Sequence, residues 1–357
     1  MIYVAILSLL VISAFYLLIF SRLARHDDDG DQNEASTTNA SIVICYHNEE
    51  NNVEKHLPHI LRQSIQEWVL VDDNSSDGTM EKLNVYRNDK IKIISFKKDT
   101  PGKKQALKEG LDQATNEIVL LTDADCKPST DDWSLHMCKS PKDFVLGYGP
   151  MNKISGWIPL FSRYETYMAA LQYLSYARVG IPYMGVGRNM RINKSIVLKQ
   201  NNRVKGSHLA SGDDDLMINA LANGLNTEIC IHPDSFVYSN PQNTLKSFLT
   251  QKTRHMGTSF YYKPIHKVLL TLFGGAQILF YLTVIVGLAT ETVSLQHGII
   301  LVLVKWTIQQ SINYPVMKKL KEADLFWRFP FLDILFFVYL LLLPVFYFFN
   351  KNNSRWS

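Results

Sequence analysis

The sequence predicts an α/β domain built on a mostly parallel sheet, with apolar helices attached at both ends. Three observations predict it. Short apolar runs alternate with stretches of helical period between residues 41 and 121, the pattern of βα units. The runs Ile42–Cys45, Trp68–Val71 and Ile118–Leu121 are apolar without alternation, which suits strands covered on both faces. Residues 2–20 and 268–290 carry no charge, and each is long enough to cross a bilayer as a helix.

The ends come first. Hydrophobic residues make up 46% of the chain, but they are spread unevenly, a polar middle joined to apolar termini. Residues 329–349 form a third apolar segment with only Asp333 charged, and 295–317 a weaker fourth that holds Lys305, Gln309, Gln310 and Asn313. The first segment lacks a basic leader and a small-residue cleavage site, so it reads as an anchor. Arg22 and Arg25 follow it, Lys263 and Lys267 precede the second segment, and Lys318, Lys319 and Lys321 follow the fourth. The positive-inside rule puts these clusters, and the domain between them, in the cytosol. Four spans satisfy that rule with both termini outside; three spans leave the C-terminus inside.

A net charge of +4 calls for no nucleic acid, since juxtamembrane Lys and Arg facing anionic lipid account for it. Cys45, Cys126, Cys138 and Cys230 lack Cys-x-x-Cys spacing and read as reduced thiols, with Cys45 and Cys230 as small core residues. Cys126, His136 and Cys138 lack a fourth ligand for zinc.

In chain order, residues 26–40 are polar without apolar period and read as a tether. Ser41–Cys45 is the first strand and runs into Tyr46-His-Asn-Glu49. A helix follows with Val53, Leu57, Ile60 and Leu61 on one stripe. Trp68–Val71 ends in Asp72-Asp73-Asn-Ser-Ser-Asp-Gly-Thr79; 80–86 is helical and 91–94 a third strand. Gly102 opens a helix with Lys103 and Lys104 at its positive N-terminus. The fourth strand breaks into Thr122-Asp123-Ala-Asp125. In a parallel sheet these polar tips emerge at one carboxyl edge, where open α/β folds bind ligands. Carboxylates gathered there need a cation or hydrogen-bonding ligand between them. Neither a dinucleotide fingerprint nor a phosphate-cradling loop is present, which leaves metal and lysine to neutralise phosphates.

Ser41–Glu50, Val71–Thr79, Gly102–Leu107 and Thr122–Asp125, in that order, resemble the signature of family 2 inverting glycosyltransferases with the GT-A (nucleotide-diphospho-sugar transferase) fold. The resemblance covers residues 41–260. It implies that Tyr46, Glu49, Asp72 and Asp73 contact the nucleoside of a sugar nucleotide, most often UDP. It also implies that Lys103 lies near the diphosphate, Asp123 holds ribose or diphosphate and shares the metal site, and Asp125 ligates Mg2+ or Mn2+.

The second half holds the acceptor side. Residues 157–178 form an aromatic-rich helix, suited to a core or to a bilayer interface. Gly185–Asn189 is a tight loop. In Ser211-Gly-Asp-Asp-Asp-Leu216, Asp213 reads on the residues alone as a helix N-cap. By the resemblance it is the catalytic base, with Asp214 the alternative register and Gly212 replacing the usual acidic residue. Residues 244–262 are amphipathic and interfacial, and Gln251-Lys-Thr-Arg254-His255 resembles the Gln-x-x-Arg-Trp motif of membrane-bound polysaccharide synthases, with His255 in the place of tryptophan. Gln251, Arg254 and His255 are thus expected at the acceptor site and diphosphate.

The expected organisation is an anchor at 1–21, a polar linker at 22–40, a GT-A domain at 41–240, an interfacial helix at 241–267, and two or three membrane helices at 268–350. The expected function is a multi-pass, cytoplasmic-membrane glycosyltransferase with its domain in the cytosol. It would use a divalent cation, a nucleotide-sugar donor and a lipid-linked or saccharide acceptor, with an export partner left open. A processive synthase and a non-catalytic nucleotide-sugar sensor are the alternatives. A nucleotidyltransferase would need a Gly- and Arg-rich loop that Tyr46-His-Asn-Glu49 lacks.

Overall fold

A computed structural model describes residues 1–27, 38–96, 102–206 and 212–350; most of the tether at 26–40 lies outside them. The chain begins with α1 (Ile2–Ala14), a π-helical turn at Phe15–Phe20 and α2 (Ser21–Ala24), one continuous apolar rod. Strand β1 (Thr38–Tyr46) starts within the last residues of the linker, and α3 (Glu50–Ile60) packs beside it. Then come β2 (Ile65–Asp72), α4 (Thr79–Asn84), β3 (Ile91–Ser95), α5 (Lys103–Gln113) and β4 (Ile118–Leu121). These four strands are parallel, in the order β3-β2-β1-β4. Their alternation places Ala40, Ile42, Ile44 and Tyr46 in the core on one face and Val43 in the core on the other, which is why the runs lack a polar side.

The sheet then changes direction. After β5 (Lys127–Pro128) and α6 (Trp133–Cys138) come β6 (Phe144–Gly147), α7 (Trp157–Arg178) and β7 (Met190–Asn193). Strand β7 pairs antiparallel with both β4 and β6, Met190 opposite Leu121 and Leu146. The loop leading into β7 therefore emerges at the edge where β4 ends. Helices α8 (Lys194–Lys199) and α9 (Asp213–Leu221) precede β8 (Thr227–Cys230), which runs parallel to β6 at the sheet's end. Strand β9 (Val237–Tyr238) pairs with β5.

The aromatic helix α7 is core: Tyr164, Tyr167, Tyr173 and Tyr176 are all buried. None of the four cysteines is in a disulfide; Cys230 is buried, and Cys45 is half-buried and packs against the core. Helix α10 (Leu245–Ser259) is followed by α11 (Pro264–Ala289), α12 (Leu295–Lys319) and α13 (Phe329–Asn350). Among the described residues, Ile2–Ala24, Pro264–Ala289 and Ala323–Phe349 are long and apolar enough to cross a membrane. Helix α12 is of similar length, but it buries Lys305, Gln309 and Asn313. The Lys305 ammonium lies 2.5 Å from Asp333, and Gln309 bonds to the Tyr16 hydroxyl, so its polar side faces the other helices. A Cβ placed on Gly287 of α11 would sit 3.3 Å from Met1, while Lys319 of α12 pairs with Asp27 at 2.9 Å. Helix α11 thus meets the first rod at its start, and α12 packs along α1, the π-helical turn and α2.

Candidate active site

The parallel register sets the site. Tyr46 pairs with Asp72 at the ends of β1 and β2, and β4 stops at Leu121, opposite Val43. Residues 122–125 therefore continue past the sheet beside the tips of its neighbours. The Asp73 amide donates to the Tyr46 carbonyl (2.8 Å), and its carboxylate accepts from Gly102 N–H (2.7 Å) at the start of α5. Carboxylate at a helix N-terminus is favourable placement. The next residue, Lys103, reaches Asp123 Oδ1 at 2.6 Å. Burial alone would raise the pKa of Asp123, but Lys103, with Arg188 and Arg254, holds it below its ordinary range.

Asp125 behaves oppositely. Its side chain reaches solvent, yet the walls of the recess push its pKa up, and the charge of Asp123 adds to the rise. Glu49 is shifted upward too, first by its surroundings and then by Asp125 and Asp123, so it faces the same cluster. Asp123, Asp125 and Cys126 offer ligand atoms within 4.8 Å of one another. Cys126 is buried with its thiol pKa raised well above normal, by burial first and Asp125 next, and it donates to Asp125 (3.3 Å). A protonated thiol is a poor ligand. What remains is a pair of carboxylates, hard oxygen donors that fit Mg2+ or Mn2+.

Other expected residues fall in different places. Tyr46 stands at the strand tip, but its ring is in the core and its hydroxyl has no partner among the described residues. Asp72 is also buried, with Oδ1 unpartnered. Asp214 Oδ2 accepts from Gly187 N–H at 2.6 Å. Asp213 is the first residue of α9, and its side chain lies outside the described residues. Its expected role as N-cap is corrected: the cap is Gly212, with φ +83°. A Cβ there would lie 2.4 Å from Thr258, so the acidic residue expected before Asp213 cannot be accommodated. Asp215 is buried and ties α9 to α10 through Thr258 (2.6 Å) and Tyr262 (2.7 Å). That bond seats the 251–255 segment beneath the site. Gln251 is half-buried, with Oε1 unpartnered among the described residues. His255 reaches solvent, yet its pKa is pushed down to about 3, by the walls of the recess first and then by Lys252, Arg254, Arg188 and Lys103; its imidazole is neutral at physiological pH.

Sequence reasoning passed over Arg188. It lies in the loop before β7, and its charge acts on Asp123, Asp125 and His255 alike. The only signal was the glycine-rich run around it, which carried no hint of strand direction. The zinc trio does not gather: Cys126 groups with the two aspartates, and His136 with His232 and Asp234. The rings of His136 and His232 stack 3.9 Å apart and 9° from parallel, so their lone pairs run side by side instead of converging on one ion.

The description "Glycosyl transferase family 2" matches residues 41–147, and "Glycosyl transferase family group 2" matches residues 134–350, well over half of the chain. The chain belongs to glycosyl transferase family 2. It has the GT-A fold. Its architecture is similar to that of a mannosyltransferase from Pyrobaculum calidifontis, solved with GDP-Man and Mn2+. The TM-score is 0.59 at 16% identity, over 89% of this chain and 98% of that one. Sequence relatives match over a shorter stretch. A cholesterol galactosyltransferase of Borreliella burgdorferi is 29% identical over 87 residues, 24% of each chain. A poly-beta-1,6-N-acetyl-D-glucosamine synthase of Staphylococcus aureus is 30% identical over 86 residues, 24% of this chain and 21% of that one. The match thus spans about a quarter or less of the length of these curated relatives.

Proposed function

We propose that this family 2 glycosyltransferase is a membrane-bound inverting enzyme that moves a sugar from a nucleotide sugar, with UDP the first choice, to a hydroxyl on a lipid-linked or saccharide acceptor. The observation that carries the reading is the Lys103–Asp123 pair beside the solvent-reaching Asp125 at the carboxyl edge of the parallel strands. Asp123 and Asp125 would hold Mg2+ or Mn2+, which when bound supplies positive charge against the departing diphosphate.

The protein's own groups do the rest. Asp73 fixes the start of α5, so Lys103 enters the cleft from a helix N-terminus and offers an ammonium to the phosphates. Arg254 adds a second cation from α10. Glu49 faces the nucleoside side. Asp213, at the first position of α9, takes the proton from the acceptor hydroxyl as that oxygen attacks the anomeric carbon from the face opposite the leaving group. A carboxylate suffices because the hydroxyl becomes acidic only as the new bond forms. Holding donor and acceptor in line is the larger share of the rate. Neutral His255, where polymerising relatives carry a tryptophan, offers a hydrogen bond to an acceptor in place of a broad stacking face.

The catalytic domain lies on the cytosolic side of the cytoplasmic membrane. Helix α12 supplies a fourth crossing, because it packs along the first rod and buries its only mid-helix cation against Asp333. The named relatives support two acceptor classes, a sterol lipid and a growing polysaccharide; His255 favours the first.

Detergent-solubilised protein supplied with Mn2+ and a panel of UDP- and GDP-sugars should turn over one donor and yield a product that extracts with lipid. Asp213→Asn should bind that donor and lose turnover. Asp213→Asn with full turnover would remove the base assignment, and donor binding without turnover by the wild type would favour a sensor.

A further inference from the structure

The residue left over from the catalytic description is Arg188, and its setting is built with unusual care. Because β7 runs antiparallel to β4, the loop before it is delivered to the edge where Asp123 and Asp125 stand. Three anchors fix that loop. Asn189, fully buried, donates from Nδ2 to the carbonyls of Tyr148 and Ser235 (both 2.7 Å) and accepts from Trp133 Nε1 (2.9 Å). Gly187 N–H donates to Asp214 Oδ2. The Arg188 Nε and Nη2 both donate to the Gly149 carbonyl. A Cβ on Gly149 would fall 2.3 Å from Arg188 Nε, so this glycine is what lets the guanidinium lie where it does. The guanidinium is thereby preorganised, and the pairing of Met190 with Leu121 sets its loop beside the residues that continue β4 to Asp123 and Asp125.

We propose that Arg188 is the standing countercharge of the Asp123–Asp125 pair and a second grip on the donor's diphosphate, acting with Lys103. The proposal rests on the nucleotide-sugar reading of this site. A fixed cation beside a cation site has a signature that a purely structural arginine lacks. It repels an incoming metal ion and attracts an incoming diphosphate, so its removal moves the two affinities in opposite directions. Charges several Å apart at the dielectric of a protein surface interact strongly enough for about a tenfold change in each.

The test is equilibrium titration of the full-length, detergent-solubilised protein with Mn2+ alone, and separately with UDP and with GDP in the absence of metal. Arg188→Gln should bind Mn2+ about tenfold more tightly and its nucleoside diphosphate about tenfold more weakly than wild type. Arg188→Lys, which keeps the charge but not the two-pronged hold on Gly149, should stay within about threefold of wild type for both. If Arg188→Gln weakens both ligands together, or moves neither, the proposal is overturned and the side chain is a loop clamp. Should Arg188→Gln fail to fold, Arg188→Lys decides alone: a folded Lys variant that loses diphosphate binding also overturns it. Wild-type protein that binds neither Mn2+ nor either nucleotide would instead overturn the reading of the site itself.

Discussion

Replacing Asp215 with asparagine tests how the base helix is held against the acceptor segment. Asp215 is 4% exposed. Its Oδ1 accepts from Leu216 N–H (2.8 Å), and its Oδ2 accepts from the hydroxyls of Thr258 (2.6 Å) and Tyr262 (2.7 Å). Asparagine keeps the shape but exchanges one charged oxygen for a donor. At least one hydroxyl must then turn away, and the others lose a charged acceptor. Hydrogen bonds to charged groups are worth about 1.5–3 kcal/mol each, so Asp215→Asn should cost about 2–4 kcal/mol. For a chain of this size that lowers the melting temperature by about 3–5 °C. Thr258→Val removes one of the bonds and should cost less than half as much, and the double variant should cost less than the sum. In transfer assays kcat should fall about tenfold or more at unchanged donor KM, because α9 carries Asp213 and α10 the acceptor segment. Melting within 1 °C of wild type (about 1 kcal/mol or less), with kcat intact, would refute the coupling of the two helices.

Gly147→Ala would set a Cβ 2.5 Å from the buried Asn189 side chain and should destabilise the protein by more than about 2 kcal/mol; normal expression and melting would show that the loop before β7 can shift freely. Lys305→Met leaves Asp333 buried without its cation and should cost about 3–5 kcal/mol, whereas Lys305→Met with Asp333→Asn, which keeps an acceptor for Tyr281 and Trp306, should recover most of the loss in detergent melts. Burial alone would raise the pKa of Glu67, but Lys92, Ser41 and Thr115 hold it below its ordinary 4.5. Its contribution is therefore present above pH 4.5 and lost as pH falls through the lower folded value. Melting curves of Glu67→Gln and wild type should converge in that acid window, and a constant gap down to pH 2 would count against it.

The parallel half of the sheet could be read from the chain because each strand is an unbroken apolar run that stops at acidic residues. Asp73, Lys103, Asp123 and Asp125 were legible for that reason. Tyr46 and Asp72 share those tips, but side chains alternate along a strand, and the alternation that buries Ile42 and Ile44 also turns Tyr46 inward. The half around the one reversed strand, β7, was not legible. Strands β6, β7 and β8 are four residues each, too short for a period, and nothing local records which way β7 runs. That direction alone carries Arg188 to the cleft. Gly212 was read as a replacement for the usual acidic residue, when a left-handed turn pressed against Thr258 admits no side chain.

The amino-acid sequence by itself determined the alternation of strands and helices, the edge at which the acidic tips emerge, the apolar rods and the family. Those are properties of local period and of residues close in the chain. Only the tertiary structure decided which side chains share a charge environment. Arg188, Asp123 and His255 come from segments far apart in sequence, and the long-range pairings that join those segments leave no mark on the period of any one of them.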